Sequence, residues 1–165
     1  MRLVVEQGDI RDQAVDVLLC GADGHLSMSD DVSKSILQRG GATVEEELQA
    51  HLAGTEKAFF AAGSVVRTGG GSLSASYLFH LVVITAFNDS TVELVAGTIR
   101  CALLEAGKLS ARTVALPRLA IGSDALSTAE FGYALRQVLD QGPYQPIEEV
   151  RVVLARESDV YELGF

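Results

Sequence analysis

Hydrophobic and polar positions along the chain change period several times, and each change marks an element. Arg2–Glu6 reads as a first strand closed by Gln7-Gly8, and Ala14–Cys20 is apolar except for Asp16, the pattern of a strand covered on both faces of a sheet. A polar stretch then leads into Asp30–Gln38, where acids precede Val32, Ile36 and Leu37 at helical spacing, with Asp30 or Asp31 as N-cap. Gly40-Gly41 stops that helix. Thr43–Leu52 opens another, with Thr43 and Glu46 spaced as a capping box. Gly63–Arg67 is a strand ended by the glycine run Gly69-Gly70-Gly71, which reads as a flexible turn. Tyr77–Ala86 is the most apolar segment and is expected to be a central strand.

Thr91–Ala106 carries Val92, Leu94, Val95, Ile99, Leu103 and Leu104 on its apolar side and is ended by Gly107. A strand over Thr113–Leu116 meets Pro117, a loop leads to a helix over Thr128–Leu139, and the chain closes with a strand over Glu149–Ala155 and a short helical turn within Asp159–Phe165. Strands that alternate with helices predict an α/β fold.

Composition narrows the class. At 165 residues, with 48% hydrophobic and 21% charged residues and three prolines, the chain suits one globular domain spanning 1–165. Cys20 and Cys101 sit in apolar runs and are expected to be buried free thiols, which leaves no disulfide or zinc framework. No apolar run reaches the length of a membrane span and no signal-peptide pattern opens the sequence, so a cytoplasmic protein without membrane contact is expected. A formal net charge of −9 with scattered lysines and arginines argues against a nucleic-acid surface.

Candidate chemistry gathers after the first two strands. Asp9 follows Gly8 as a turn or cap residue. Gly21-Ala22-Asp23 breaks the chain past the carboxyl end of a buried strand, where open α/β sheets place their ligands. Asp23, Asp30, Asp31 and Asp124 are hard oxygen donors that could gather a divalent cation, although helix caps and solvated loop residues are the plainer account of them. His80 reads as a core histidine bonded to a neighbour, and His51 as a surface residue without a partner.

Gly8-Asp9-Ile10, the buried strand behind it, Gly63–Gly69, Tyr77–His80 and Leu116–Ser127 together, in that order, resemble the macro domains, a family that binds ADP-ribose and in some members hydrolyses its linkages. The resemblance implies a three-layer α/β/α fold around a mixed, mostly parallel sheet of six strands. It further implies that Asp9 accepts from an adenine amino group with Ile10 beside it. Gly21, Ala22 and Asp23 would lie at the distal ribose and Val32 and Ser33 at the neighbouring helix start. Ala120, Ile121, Gly122, Ser123 and Asp124 would form the diphosphate loop.

Departures from the family point away from catalysis. Asp23 stands where catalytic members orient the ribose with asparagine, and Ser33 falls where an acid helps activate water. An aspartate cannot donate an amide hydrogen bond, and a hydroxyl is no base without a partner. Asp30, Asp31 and Asp124 would also repel a diphosphate. The expected function is therefore a module that binds ADP-ribose or a related nucleotide weakly, with no catalytic residue, metal or cofactor. A macro-fold scaffold with a protein partner, an ADP-ribosyl hydrolase and a metal-assisted site remain the alternatives.

Overall fold

In the computed structural model, which describes residues 1–28, 30–121 and 125–165, six strands form one sheet in the order β1-β6-β5-β2-β4-β3. They are β1 (Arg2–Gln7), β2 (Val17–Ala22), β3 (Val65–Gly69), β4 (Tyr77–Val82), β5 (Thr113–Leu116) and β6 (Glu149–Leu154). All neighbours run parallel except β3, which is antiparallel to β4. The helices are α1 (Asp31–Gly40), α2 (Ala42–Ala53), α3 (Val92–Lys108), α4 (Thr128–Asp140) and α5 (Glu157–Leu163). A short 3₁₀ turn covers Ile10–Asp12.

Alternation along the strands assigns the two faces. Val17, Leu19, Phe79, Leu81, Val114, Leu116, Val150 and Val152 point to one side and pack with Val95, Ile99 and Leu103 of α3 and Phe131 and Leu135 of α4. Leu18, Cys20, Leu78, Val82, Ala115 and Val153 point to the other and pack with Ile36 of α1 and Val44 and Leu48 of α2. Three layers follow, because a strand that is apolar at every position needs a cover on each face.

Local boundaries differ from the sequence reading for identifiable reasons. The second strand starts at Val17 because Asp16 is occupied as a clamp, its Oδ2 accepting from Arg112 N, Thr113 N and Thr113 Oγ1 at 2.8–3.0 Å. The third is shifted to Val65–Gly69, since Gly63 has φ 94° and cannot be extended. The fourth ends at Val82 and lies beside the edge strand, with β5 and β2 at the centre. Its remaining apolar residues, Val83 and Ile84, enter the core from a loop closed by Thr85 N donating to the Asp89 carbonyl (2.9 Å).

No capping box forms at Thr43. Gly41 ends α1 and starts α2 with φ 85°, so α2 begins at Ala42 without a side-chain cap. Cys101 is exposed rather than buried, because it falls on the outer side of α3, opposite Val95, Ile99 and Leu103. The helix over Thr128–Asp140 does carry a capping box, between Ser127 and Glu130. Glycines 70 and 71 form a close-packed turn, with added Cβ atoms 1.9 Å from the Ala75 carbonyl oxygen and 2.1 Å from that of Gly40.

Candidate functional site

Parallel strands leave their carboxyl ends on one edge of the sheet, and a concavity of that edge lies over β1, β6 and β5. It is a cleft of about 680 Å³, the size range of small-molecule sites. Gln7–Arg11 form one wall, Val153–Arg156 the next, and Pro117, Arg118 and Ile121 the third. Asp31, Val32 and Ser35 of α1 close it from the side.

The first wall is built by a glycine and an acid. Gly8 N donates to the Leu154 carbonyl (2.9 Å), which carries the β1–β6 pairing one residue past the strand. Asp9 then caps the 3₁₀ turn by accepting from Arg11 N at 2.9 Å. The Arg11 guanidinium grips the same carboxylate, Nε to Oδ1 at 2.9 Å and Nη2 to Oδ2 at 2.5 Å. These bonds from Arg11, side chain first and backbone second, hold the Asp9 carboxyl down at about 2, so it is an anion throughout the neutral range. Ile10 is buried against the cleft floor.

Of the sequence candidates, the structure gathers Asp9, Ile10, Val32 and Ile121 on the cleft wall. Gly21, Ala22 and Ala120 are buried and do not line it. Asp23 turns inward on its own loop, where Oδ1 accepts from His25 N (3.0 Å) and Ser27 N (2.9 Å), an Asx turn that uses the carboxylate locally. Ser33 is 2% exposed. Its amide and its hydroxyl both donate to Asp30 at 2.8 Å, so Asp30 uses both oxygens in capping α1 and is not among the residues that line the cleft. Gly122, Ser123 and Asp124 lie outside the described residues.

Three arginines of the cleft went unmarked in the sequence. Arg11 and Arg156 each hold a carboxylate, Asp9 and Asp159. Arg118 donates from Nη1 to Thr128 Oγ1 (2.9 Å) and from Nη2 to the Leu126 carbonyl (3.4 Å), and its buried Nε has no partner among the described residues. With Asp31 included, the lining carries three arginines and three aspartates, so the acids do not leave the cleft uniformly repulsive to anions. Arg118 had one visible signal, a cation immediately past the carboxyl end of a buried strand. The pairing of Arg156 with Asp159 could have been read from their i, i+3 spacing at a helix start.

Two polar clusters lie away from the cleft. Inside the sheet, Cys20 Sγ is 3.4 Å from His80 Nδ1, and His80 Nε2 is 3.0 Å from Thr68 Oγ1. Thr68 in turn donates to the Gly69 carbonyl at 3.0 Å. The chain of donors closes if the thiol donates to Nδ1 and Nε2–H donates to the threonine. Burial pushes His80 down to about 3 and the Cys20 thiol well above its usual range, so both are neutral core groups. At the β3 edge, His51 Nε2 donates to the Arg67 carbonyl (2.8 Å) and Gly69 N donates to Glu47 Oε2 (3.1 Å). His51 therefore has a partner, and the two α2 side chains occupy edge groups that could otherwise pair with another strand.

Among the described residues no three His, Cys, Asp or Glu side chains converge as a metal site, and no helix is long and apolar enough to cross a membrane.

Comparison with known proteins agrees with this architecture. The Macro domain family model matches residues 20–136. A macro domain-containing protein of Streptomyces nogalater is 32% identical over 98% of this chain and 92% of its own. An uncharacterized protein of Thermotoga maritima is 27% identical over 92% of this chain, which spans only 26% of that longer relative. Among solved structures, the Oceanobacillus iheyensis macrodomain with ADP superposes with a TM-score of 0.82 at 22% identity, covering 96% of this chain and 86% of that one. A Trypanosoma brucei macrodomain in complex with ADP-ribose superposes with a TM-score of 0.78 at 17% identity, covering 97% and 67%.

Proposed function

The chain belongs to the macro domain family, and from that premise we propose that its cleft binds ADP-ribose or a closely related nucleotide, with modest affinity and without hydrolysing it. The observation that carries this reading is the cleft itself: a cavity of about 680 Å³ at the carboxyl ends of β1, β6 and β5, walled by the ionised Asp9 and the buried Ile10. Arg11 N and Nε occupy Asp9 Oδ1, while Oδ2 accepts mainly from Arg11 Nη2 and keeps capacity for an exocyclic amine at the edge of an apolar floor, and two related folds hold ADP or ADP-ribose.

Two arrangements support the absence of turnover. Asp23 is consumed by its own turn, and Ser33 is buried with its hydroxyl donated to Asp30. Neither presents a base or an oriented donor to the cleft. Losing one positioned donor at a reacting centre costs about a hundredfold in rate or more. Asp31 on the lining supports modest affinity, because a carboxylate close to a diphosphate is repelled by roughly 1–4 kcal/mol depending on the effective dielectric.

One experiment tests capture and turnover together. Peptides carrying ADP-ribose on glutamate or serine are incubated with the domain while peptide binding is followed by fluorescence polarisation and free ADP-ribose by a time course. The expected result is saturable capture with release indistinguishable from the protein-free control. Clear release that is abolished by Asp23→Ala would contradict the non-catalytic part of the reading.

A further inference from the structure

The two edges of the sheet are finished differently. β3 is guarded, since its outward Arg67 carbonyl accepts from His51 and its outward Gly69 amide donates to Glu47. β1, at the other edge, is open. Arg2 N donates to the Glu148 carbonyl (2.7 Å) and Gly8 N to that of Leu154 (2.9 Å). A parallel ladder bonds alternate residues of a strand, so Arg2, Val4, Glu6 and Gly8 turn their backbone groups toward β6. Leu3 and Val5 turn theirs outward, where they meet no partner among the described residues. No residue of β1 is buried, whereas five of the six in β6 are. The usual protections of an exposed edge are missing too: the strand holds neither proline nor lysine, and its register with β6 runs unbroken from Arg2 to Gln7.

The order of residues in β1 specifies what fits there. Basic Arg2 is followed by apolar Leu3, Val4 and Val5 and then by acidic Glu6, so reversing the strand exchanges the charges and keeps the apolar centre. Consider two copies laid antiparallel about a two-fold axis through Val4. Leu3 and Val5 of one copy then face Val5 and Leu3 of the other, each pair exchanging both of its N–H···O bonds. Between and beyond them Val4 meets Val4, and each Arg2 meets the Glu6 of the other copy. Opposite charges and apolar side chains directly across a ladder both stabilise the pairing. Both charged groups are available: the Arg2 side chain is 72% exposed although it touches Glu149, and Glu6 has no ion-pair partner among the described residues.

We propose that β1 is a dimerisation strand, pairing antiparallel with β1 of a second copy of this chain in the register that sets Arg2 against Glu6. The two six-stranded sheets become one continuous sheet. The contact is isologous and closes at two copies, because the edges left over are the guarded β3 strands. Asp9 and Ile10 lie beyond the paired residues, so both clefts remain open.

Sedimentation velocity from about 1 µM to 1 mM, a span that brackets transient association, should show the mass of wild type rising from one chain to two and no further. Amide exchange followed by NMR reads the edge itself. In dilute solution the Leu3 and Val5 amides should exchange fast while those of Val4 and Glu6 are protected, and exchange at Leu3 and Val5 should slow in step with the dimer fraction. Val5→Pro deletes an outward donor without touching the bonds to β6, and should weaken association about tenfold or more. Arg2→Glu and Glu6→Arg each set like charges across the ladder and should weaken it similarly, yet an equimolar mixture of the two should dimerise, since every arginine again faces a glutamate. Each variant is checked for an unchanged circular dichroism spectrum, and the exchange readout uses wild type alone, so it stands even if a variant fails to fold. A one-chain mass throughout, growth beyond two copies, a dimer whose Leu3 and Val5 amides stay unprotected, or a mixture no more associated than its components would each overturn the proposal.

Discussion

Between pH 7.5 and pH 4.5 the domain is expected to lose about 2–3 kcal/mol of stability through one buried residue, His80. In the unfolded chain a histidine takes up a proton near pH 6.5, whereas burial and, secondarily, the charge of His51 hold folded His80 neutral down to about 3. Within that window unfolding takes up a proton, so the stabilising contribution is complete above the unfolded value and falls by roughly 1.4 kcal/mol per pH unit as the solution is acidified. The Asp9 carboxyl, depressed to about 2 by Arg11, adds its own loss only below about pH 4, which keeps the two effects apart. Urea melts at pH 7.5, 5.5 and 4.5 check this. Wild type should show the slope of one extra proton, and His80→Asn, although weaker at pH 7.5, should lose most of that slope. Parallel pH profiles for the two proteins would assign the acid sensitivity elsewhere.

Replacing Gly71 with alanine is expected to destabilise the fold by about 3 kcal/mol or more, although the residue lies far from any chemistry. Gly71 has φ 57°, and a Cβ there would sit 2.1 Å from the Gly40 carbonyl oxygen and 2.9 Å from Val44 Cγ2. A left-handed backbone costs an alanine roughly 1–2 kcal/mol, and forcing atoms into a packed contact costs about 1–3 more. The nearest obstacle is backbone, so the clash cannot be relieved by a rotamer change. Ser72 N also donates to the Gly40 carbonyl at 3.0 Å, and a shift to relieve the clash would break that bond between the β3–β4 turn and the end of α1. Gly97→Ala serves as the control: it lies in α3 with nothing within 4 Å of its added Cβ, and it should be neutral or gain about 0.5–1 kcal/mol. Equal chemical-denaturation midpoints for the two variants would show that the turn relaxes around the extra methyl group.

The fold was legible because its determinants are local. Period-two and period-3.6 apolar patterns survive in the finished strands and helices, and Asp30 and Thr91 cap α1 and α3 in the ordinary way. The first wall of the cleft was legible for the same reason: Gly8, Asp9 and Ile10 are consecutive at a strand end. Arg118 and Arg156 were not, because sheet order β1-β6-β5 places the ends of the last two strands beside the first, and nothing in a linear pattern orders strands that far apart. Asp23 shows the opposite limit. Its place after β2 suggested a ligand contact, yet a short carboxylate followed two and four residues later by free amides satisfies them first. The triple glycine likewise suggested freedom where packing required an absent side chain.

The claim that the cleft walled by Asp9 and Ile10 binds ADP-ribose is tested most directly by calorimetric titration of ADP-ribose into wild type and Asp9→Ala at neutral pH, with ribose 5-phosphate as the base-free comparison. Hydrogen bonds to charged groups are worth about 1.5–3 kcal/mol, so the substitution should weaken ADP-ribose by roughly 10- to 150-fold and leave ribose 5-phosphate unchanged. No measurable binding of ADP-ribose to wild type, or equal losses for both ligands in Asp9→Ala, would contradict the assignment.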